Sequence, residues 1–161
     1  MKISLSILAG ALMLASGGAF AQSCGSPIQL NGVTSISGDT CAGANELGTV
    51  CIFGQSPAND IIYQINVVVP YTAQVITLSN STPAWNAAME LITTTCNGNS
   101  TCPRNADANG PGGNEAMDVT GLTAGTYFLA VNSTNNDPGC GSYTLGTNGS
   151  FPVMLQSFDV S

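Results

Sequence analysis

Six cysteines, Cys24, Cys41, Cys51, Cys96, Cys102 and Cys140, constrain this chain more than any other feature. An even number of thiols in an exported chain closes into disulfides, which tie distant loops together whatever lies between them. Export is read from MKISLSILAGALMLASGGAFA. Lys2 supplies a positive start, residues 3–15 an apolar core, and Ala19-Phe20-Ala21 a small-x-small cleavage site. Cleavage there predicts a signal peptide over 1–21 and a mature chain of 161 − 21 = 140 residues, 22–161, enough for one domain with a real core. Cys24 lies three residues past Ala21, so no lipid-bearing cysteine is expected at the cleavage point. No second apolar run approaches the roughly 20 residues that cross a bilayer, so membrane insertion is not expected.

Spacing favours two local staples, Cys41–Cys51 in CAGANELGTVC and Cys96–Cys102 in CNGNSTC, leaving Cys24 and Cys140 to pair. Zinc is a poor alternative, because the chain has no histidine and no CxxC pair. Loss of the signal leaves Arg104 as the one basic side chain against nine Asp and Glu, or 1 − 9 = −8. Nucleic-acid affinity depends on Lys and Arg displacing counterions, so DNA and RNA are excluded as partners, as are anionic membranes.

Short runs of β-branched and aromatic residues recur between Gly, Asn and Pro punctuation, and none holds a helical period with caps. IIYQINVVVP (61–70), TAQVITLS (72–79), AAMELITTT (87–95), EAMDVTGL (115–122), TYFLAVNS (126–133) and SYTLGTN (142–148) are predicted strands. One or two more are expected in SCGSPIQLNGVTSISGDT, and FPVMLQSFDV (151–160) could add an edge strand. Alternation sends Ile76 and Leu78, Met117 and Val119, and Tyr127, Leu129 and Val131 to one side of their strands. The pattern predicts an all-β fold, a single disulfide-stapled β-sandwich.

From residue 60 onward the motif order resembles the bacterial pre-peptidase C-terminal (PPC) domain. DIIYQINVVVPYTAQVITLS resembles that family's acidic residue, aromatic strand, turn and second apolar strand. PAWNAAMELIT resembles its next alternating strand, with Asn86 near the place of the usual Asp. GLTAGTYFLAVNS (121–133) nearly preserves its L-x-x-G-x-Y-x-x-x-V run, and GSYTLG (141–146) resembles its closing strand. The resemblance covers about residues 60–147 and implies a secreted sandwich of jelly-roll type. Such domains are usually appended to secreted peptidases. Here one is expected to stand alone behind a signal peptide.

Without histidine, Ser-His-Asp and Cys-His mechanisms are absent, and paired cysteines leave no thiolate nucleophile. Scattered acids make some chance pair inevitable, so no enzyme activity is expected. NADANGPGGNE (105–115) approaches a calcium loop, with Asp107, Asn109, Asn114 and Glu115 as candidate oxygen ligands. Glu115 arrives one position early for an EF-hand, and a solvated connection between strands is the competing reading. Calcium binding is known in some PPC-like domains, but their ligands do not map onto these positions. Trp85, the one tryptophan, could stack on a sugar or cap the sandwich. The resemblance, together with the missing catalytic chemistry, implies a secreted, non-catalytic binding or adhesion module contacting extracellular polysaccharide or protein. The alternatives are a self-associating subunit of an extracellular fibre or surface assembly, and an accessory or chaperone of a co-exported peptidase.

Overall fold

A computed structural model describes residues 23–47, 49–51, 54–55, 58–93, 95–97, 101–134, 137, 139–149 and 151–152. The predicted signal peptide lies outside them, as does the predicted terminal strand beyond Pro152. Two sheets face each other. In chain order the strands are β1 (Ile28–Gln29), β2 (Ser35–Asp39), β3 (Thr49–Val50), β4 (Gly54–Gln55), β5 (Ile61–Val67), β6 (Val75–Asn80), β7 (Ala87–Thr93), β8 (Arg104–Ala106), β9 (Glu115–Asp118), β10 (Gly125–Ser133) and β11 (Ser142–Thr147). One sheet runs β1-β5-β10-β7-β8, the other β2-β11-β6-β9, and β3 and β4 pair as a small hairpin. The expected sandwich is observed.

The sheets differ in what covers them. In the four-stranded sheet burial alternates cleanly, with Ile76, Leu78, Met117, Tyr143 and Leu145 inward and the intervening residues outward. In the five-stranded sheet, β5, β7 and β10 are buried almost continuously. Their inner residues Tyr63, Ile65, Met89, Leu91, Leu129 and Val131 join the main core. Their outer residues Ile62, Ile92 and Ala130 pack with Leu47 and the flanking Cys24, Cys96, Cys102 and Phe128 in a second cluster. The early segment thus straps the outer face of this sheet. Each fully buried aliphatic side chain stabilises by roughly 1.5–3 kcal/mol, so both faces contribute to holding the sheet.

That strap corrects the expected disulfide pairing. The bridges are Cys24–Cys96, Cys41–Cys140 and Cys51–Cys102, spanning 72, 99 and 51 residues. Short loops are cheaper to close, which is why spacing favoured local pairs. Tertiary packing overrides that preference. Cys41 lies in a 3-10 turn (Thr40–Ala42) whose Thr40 N–H donates to the Gly141 carbonyl at 3.0 Å, while the Gly141 N–H donates to Thr40 Oγ1 at 2.9 Å. These bonds bring Cys140 to Cys41. The outer strap brings Cys24 and Cys51 to the residues flanking β7 and β8.

Two tyrosines join the sheets through the core. Tyr63 on β5 and Tyr143 on β11 meet hydroxyl to hydroxyl at 2.8 Å, and both rings are buried. Gly38 on β2 stands opposite Tyr143, where a Cβ would lie 2.5 Å from its hydroxyl oxygen and 2.9 Å from that of Tyr63. Neither ring can retreat within a packed core. Gly38→Ala is therefore expected to destabilise by about 1–3 kcal/mol, read as a lower urea midpoint at unchanged slope.

Candidate functional site

NADANGPGGNE begins inside the sheet, since β8 takes Arg104 to Ala106, a strand the sequence pattern did not announce. The remainder turns back to β9. Glu115 organises that turn. Its side chain is 2 % exposed, Oε2 accepts the Ala108 N–H and Oε1 the Asn109 N–H, both at 2.8 Å. Asn114 Oδ1 accepts the Asn80 N–H at 2.9 Å, and Asn109 Nδ2 donates to the Asn114 carbonyl at 2.5 Å. The Gly112 N–H donates to the Trp85 carbonyl at 2.9 Å. Burial raises the Asp107 pKa, with a smaller contribution from the nearby Glu115. Glu115 and Asn114 thus direct their oxygens at backbone N–H groups rather than at a common point. This donor set fits a self-supported turn better than a calcium cage. Glu115→Ala is expected to cost about 1–3 kcal/mol by releasing two amides, and millimolar calcium to leave the wild-type Tm unchanged. A rise in Tm with calcium, abolished by Asp107→Asn, would instead establish the ion site.

Trp85 needs correction as a ligand platform. It is 1 % exposed, and its indole Nε1–H donates to Ser133 Oγ at 2.5 Å, which donates on to the Gly139 carbonyl at 2.7 Å. Its ring lies 5.9 Å from that of Tyr143, and a Cβ on Gly141 would come within 2.5 Å of it. The indole fills the end of the sandwich, so no ring face remains for a sugar.

Beneath the strap lie two acids, Asp60, read from sequence only as part of the strand motif, and Glu90, which sequence reading passed over. Asp60 immediately precedes β5, and its Oδ2 accepts the N–H groups of Glu46 at 2.9 Å and Leu47 at 3.0 Å. Burial raises its pKa, opposed by those two amides. Glu90, in the middle of β7, points outward opposite Ala130 on β10 and Asn105 on β8. It is 0 % exposed, and among the described residues neither carboxyl oxygen has a hydrogen-bond partner. Burial, and secondarily Asp60, push its pKa up to about 8, so it is mostly protonated at neutral pH. Asn132 lies close enough to favour the Asp60 charge, yet among the described residues its amide atoms reach no partner at hydrogen-bonding geometry. A Glu90 oxygen lies within 4.8 Å of the sulfurs of Cys51 and Cys102. Those sulfurs are bonded to each other, so they offer no thiolate to a metal. No pocket opens onto either acid among the described residues.

The open surface is the outer face of the four-stranded sheet. Its central row runs Ser37, Thr144, Ser79 across β2, β11 and β6, and the next runs Ser35, Gly146, Thr77, Ala116. Ser37 Oγ and Thr144 Oγ1 are 3.1 Å apart, and Ser142 Oγ donates to Asp39 Oδ2 at 3.1 Å. The face is lined with hydroxyls. It carries no basic or aromatic side chain, and its acids, Asp39 and Asp118, stand on the edge strands β2 and β9.

No family model matches the chain, and no curated protein does. Among solved structures it is similar to the pre-peptidase C-terminal domain of collagenase from Bacillus anthracis. That likeness has 20 % identity and a TM-score of 0.50, and covers 75 % of this chain and 91 % of that one. At such identity the likeness concerns the fold, which is PPC-like.

Proposed function

We propose that this chain is an exported, non-catalytic module that contacts an uncharged extracellular polymer or protein through the hydroxyl face of its four-stranded sheet. The face carries the reading. Small hydroxyls on a rigid sheet offer many donors and acceptors without a deep pocket, which suits a long repetitive partner more than a small molecule. The acidic surface repels anionic polymers, leaving neutral or basic ones. A collagenase carries a domain of the same fold, and three disulfides suit an oxidising compartment; both support an accessory role outside the cell. The absence of histidine and of free cysteine among the described residues supports a module without chemistry of its own.

Co-sedimentation of the mature protein with chitin, cellulose, fibrillar collagen and heparin tests the proposal. Retention on a neutral polymer or on collagen, and none on heparin, is expected. Retention on none of them overturns it. Size-exclusion of the same sample reads the fibre-subunit alternative, which calls for self-association that rises with concentration.

A further inference from the structure

Glu90 is a buried acid with no hydrogen-bond partner among the described residues, and the folded chain places it against the Cys51–Cys102 disulfide. We propose that Cys51–Cys102 is an exchangeable disulfide, opened by an extracellular dithiol, with the Glu90 carboxyl as the proton donor to the leaving sulfur. The inference is independent of polymer binding. Three observations carry it. A Glu90 carboxyl oxygen and both sulfurs lie within 4.8 Å of one another. Both cysteines are half-buried while Glu90 is enclosed, the arrangement that a thiol entering from solvent requires. Among the described residues neither Glu90 oxygen is engaged by a hydrogen-bond donor, which leaves the proton free to move toward sulfur.

The surroundings keep that proton in place. Asp60, at the head of β5, is the charged group acting on Glu90, and it disfavours ionisation together with burial. Across β10 stand Ala130 and, diagonally, Asn132, neither of which titrates. On β8 Arg104 stands opposite Leu91 and donates to the carbonyls of Asp118 and Pro103. Glu90 therefore has no cation to ionise it, and a carboxylic acid whose pKa lies near the working pH is well matched to protonate a thiolate.

In the exchange, the reductant thiolate attacks one sulfur and the S–S bond breaks. The departing thiolate takes the Glu90 proton, and the acid recovers one from water. The second thiol of the reductant then gives up its proton to water and attacks the mixed disulfide, and the second cysteine thiolate leaves and takes a proton from water. The protein is left with two thiols and the reductant with one disulfide, so two electrons and two protons have moved.

The test is graded reduction of the intact mature protein by dithiothreitol, quenched in acid and mapped by alkylation. Cys51 and Cys102 should be alkylated first. At pH 6.5 Glu90→Gln should slow opening of that pair by on the order of tenfold or more, without changing the other two bridges. The two proteins should converge above pH 9, where wild-type Glu90 has also lost its proton. A shared pH profile for wild type and variant, or another bridge opening first, overturns the proposal. The wild type alone gives a second reading that does not depend on the variant folding. Its opening rate at Cys51–Cys102, divided by that at Cys41–Cys140, should fall as pH rises through about 8. A constant ratio is equally fatal.

Discussion

Raising the pH from about 5 to about 9 should destabilise this protein by about 4 kcal/mol, opposite to the acid lability of most folds. The cause is Glu90. Its pKa rises from 4.5 in an exposed chain to about 8 in the folded protein, first through burial and then through Asp60. Below the lower value both states hold the proton, and the contribution to stability is complete. Between the two, the folded state binds a proton that the unfolded chain has released, so stability falls by about 1.4 kcal/mol per pH unit. Above the upper value Glu90 is a buried, unpaired carboxylate and the loss is fixed. Asp60, also raised, acts in the same sense. Glu90→Gln keeps the shape and removes the titration. Urea unfolding at constant salt should therefore show a steep decline with pH for wild type and a much flatter course for the variant. Parallel declines would mean that water or a counter-charge already satisfies Glu90.

Removing Cys41–Cys140 should cost about 2–5 kcal/mol and lower Tm by roughly 10 °C or more, since it closes the longest loop, with a separation of 99 residues. The effect is expected from Cys41→Ala with Cys140→Ala, which leaves two bridges and no free thiol. Cys41→Ala with Cys51→Ala should be worse, because it strands Cys140 and Cys102 from two different bridges. Thiol titration separates the cases: none in the first double variant, two in the second. The reverse result would restore the local Cys41–Cys51 pairing.

The sandwich was legible because its inner residues obey a period of two. Val75 to Asn80 and Glu115 to Asp118 alternate, as expected of a sheet with one wet face. Tyr127, Leu129 and Val131 enter the core as their spacing predicts. The second buried face was less legible. Ile62, Ile92 and Ala130 at the intervening positions hinted at it, but what covers them comes from residues far earlier in the chain. For the same reason the disulfides were misassigned, since loop length is local information and the strap is not. Glu90 was hidden in AAMELIT, where an acid at an alternate position normally marks solvent. Only the strap reveals that this position is dry. The hydroxyl face left no motif, because Ser37, Thr144 and Ser79 are neighbours only across strands. Trp85 was half legible: large aromatics are usually buried, as this one is, and only the platform alternative is lost.

Binding through that face is tested most directly by Thr144→Arg, which plants one long charged side chain at the centre of the row while the core stays untouched. On whichever neutral polymer or collagen retains the wild type, retention of Thr144→Arg should fall at least about tenfold, a loss of about 1.4 kcal/mol, with Asp107→Asn in the β8–β9 turn binding as wild type. Undiminished retention of Thr144→Arg, with loss in Asp107→Asn, would place the contact at the turn and contradict the hydroxyl face.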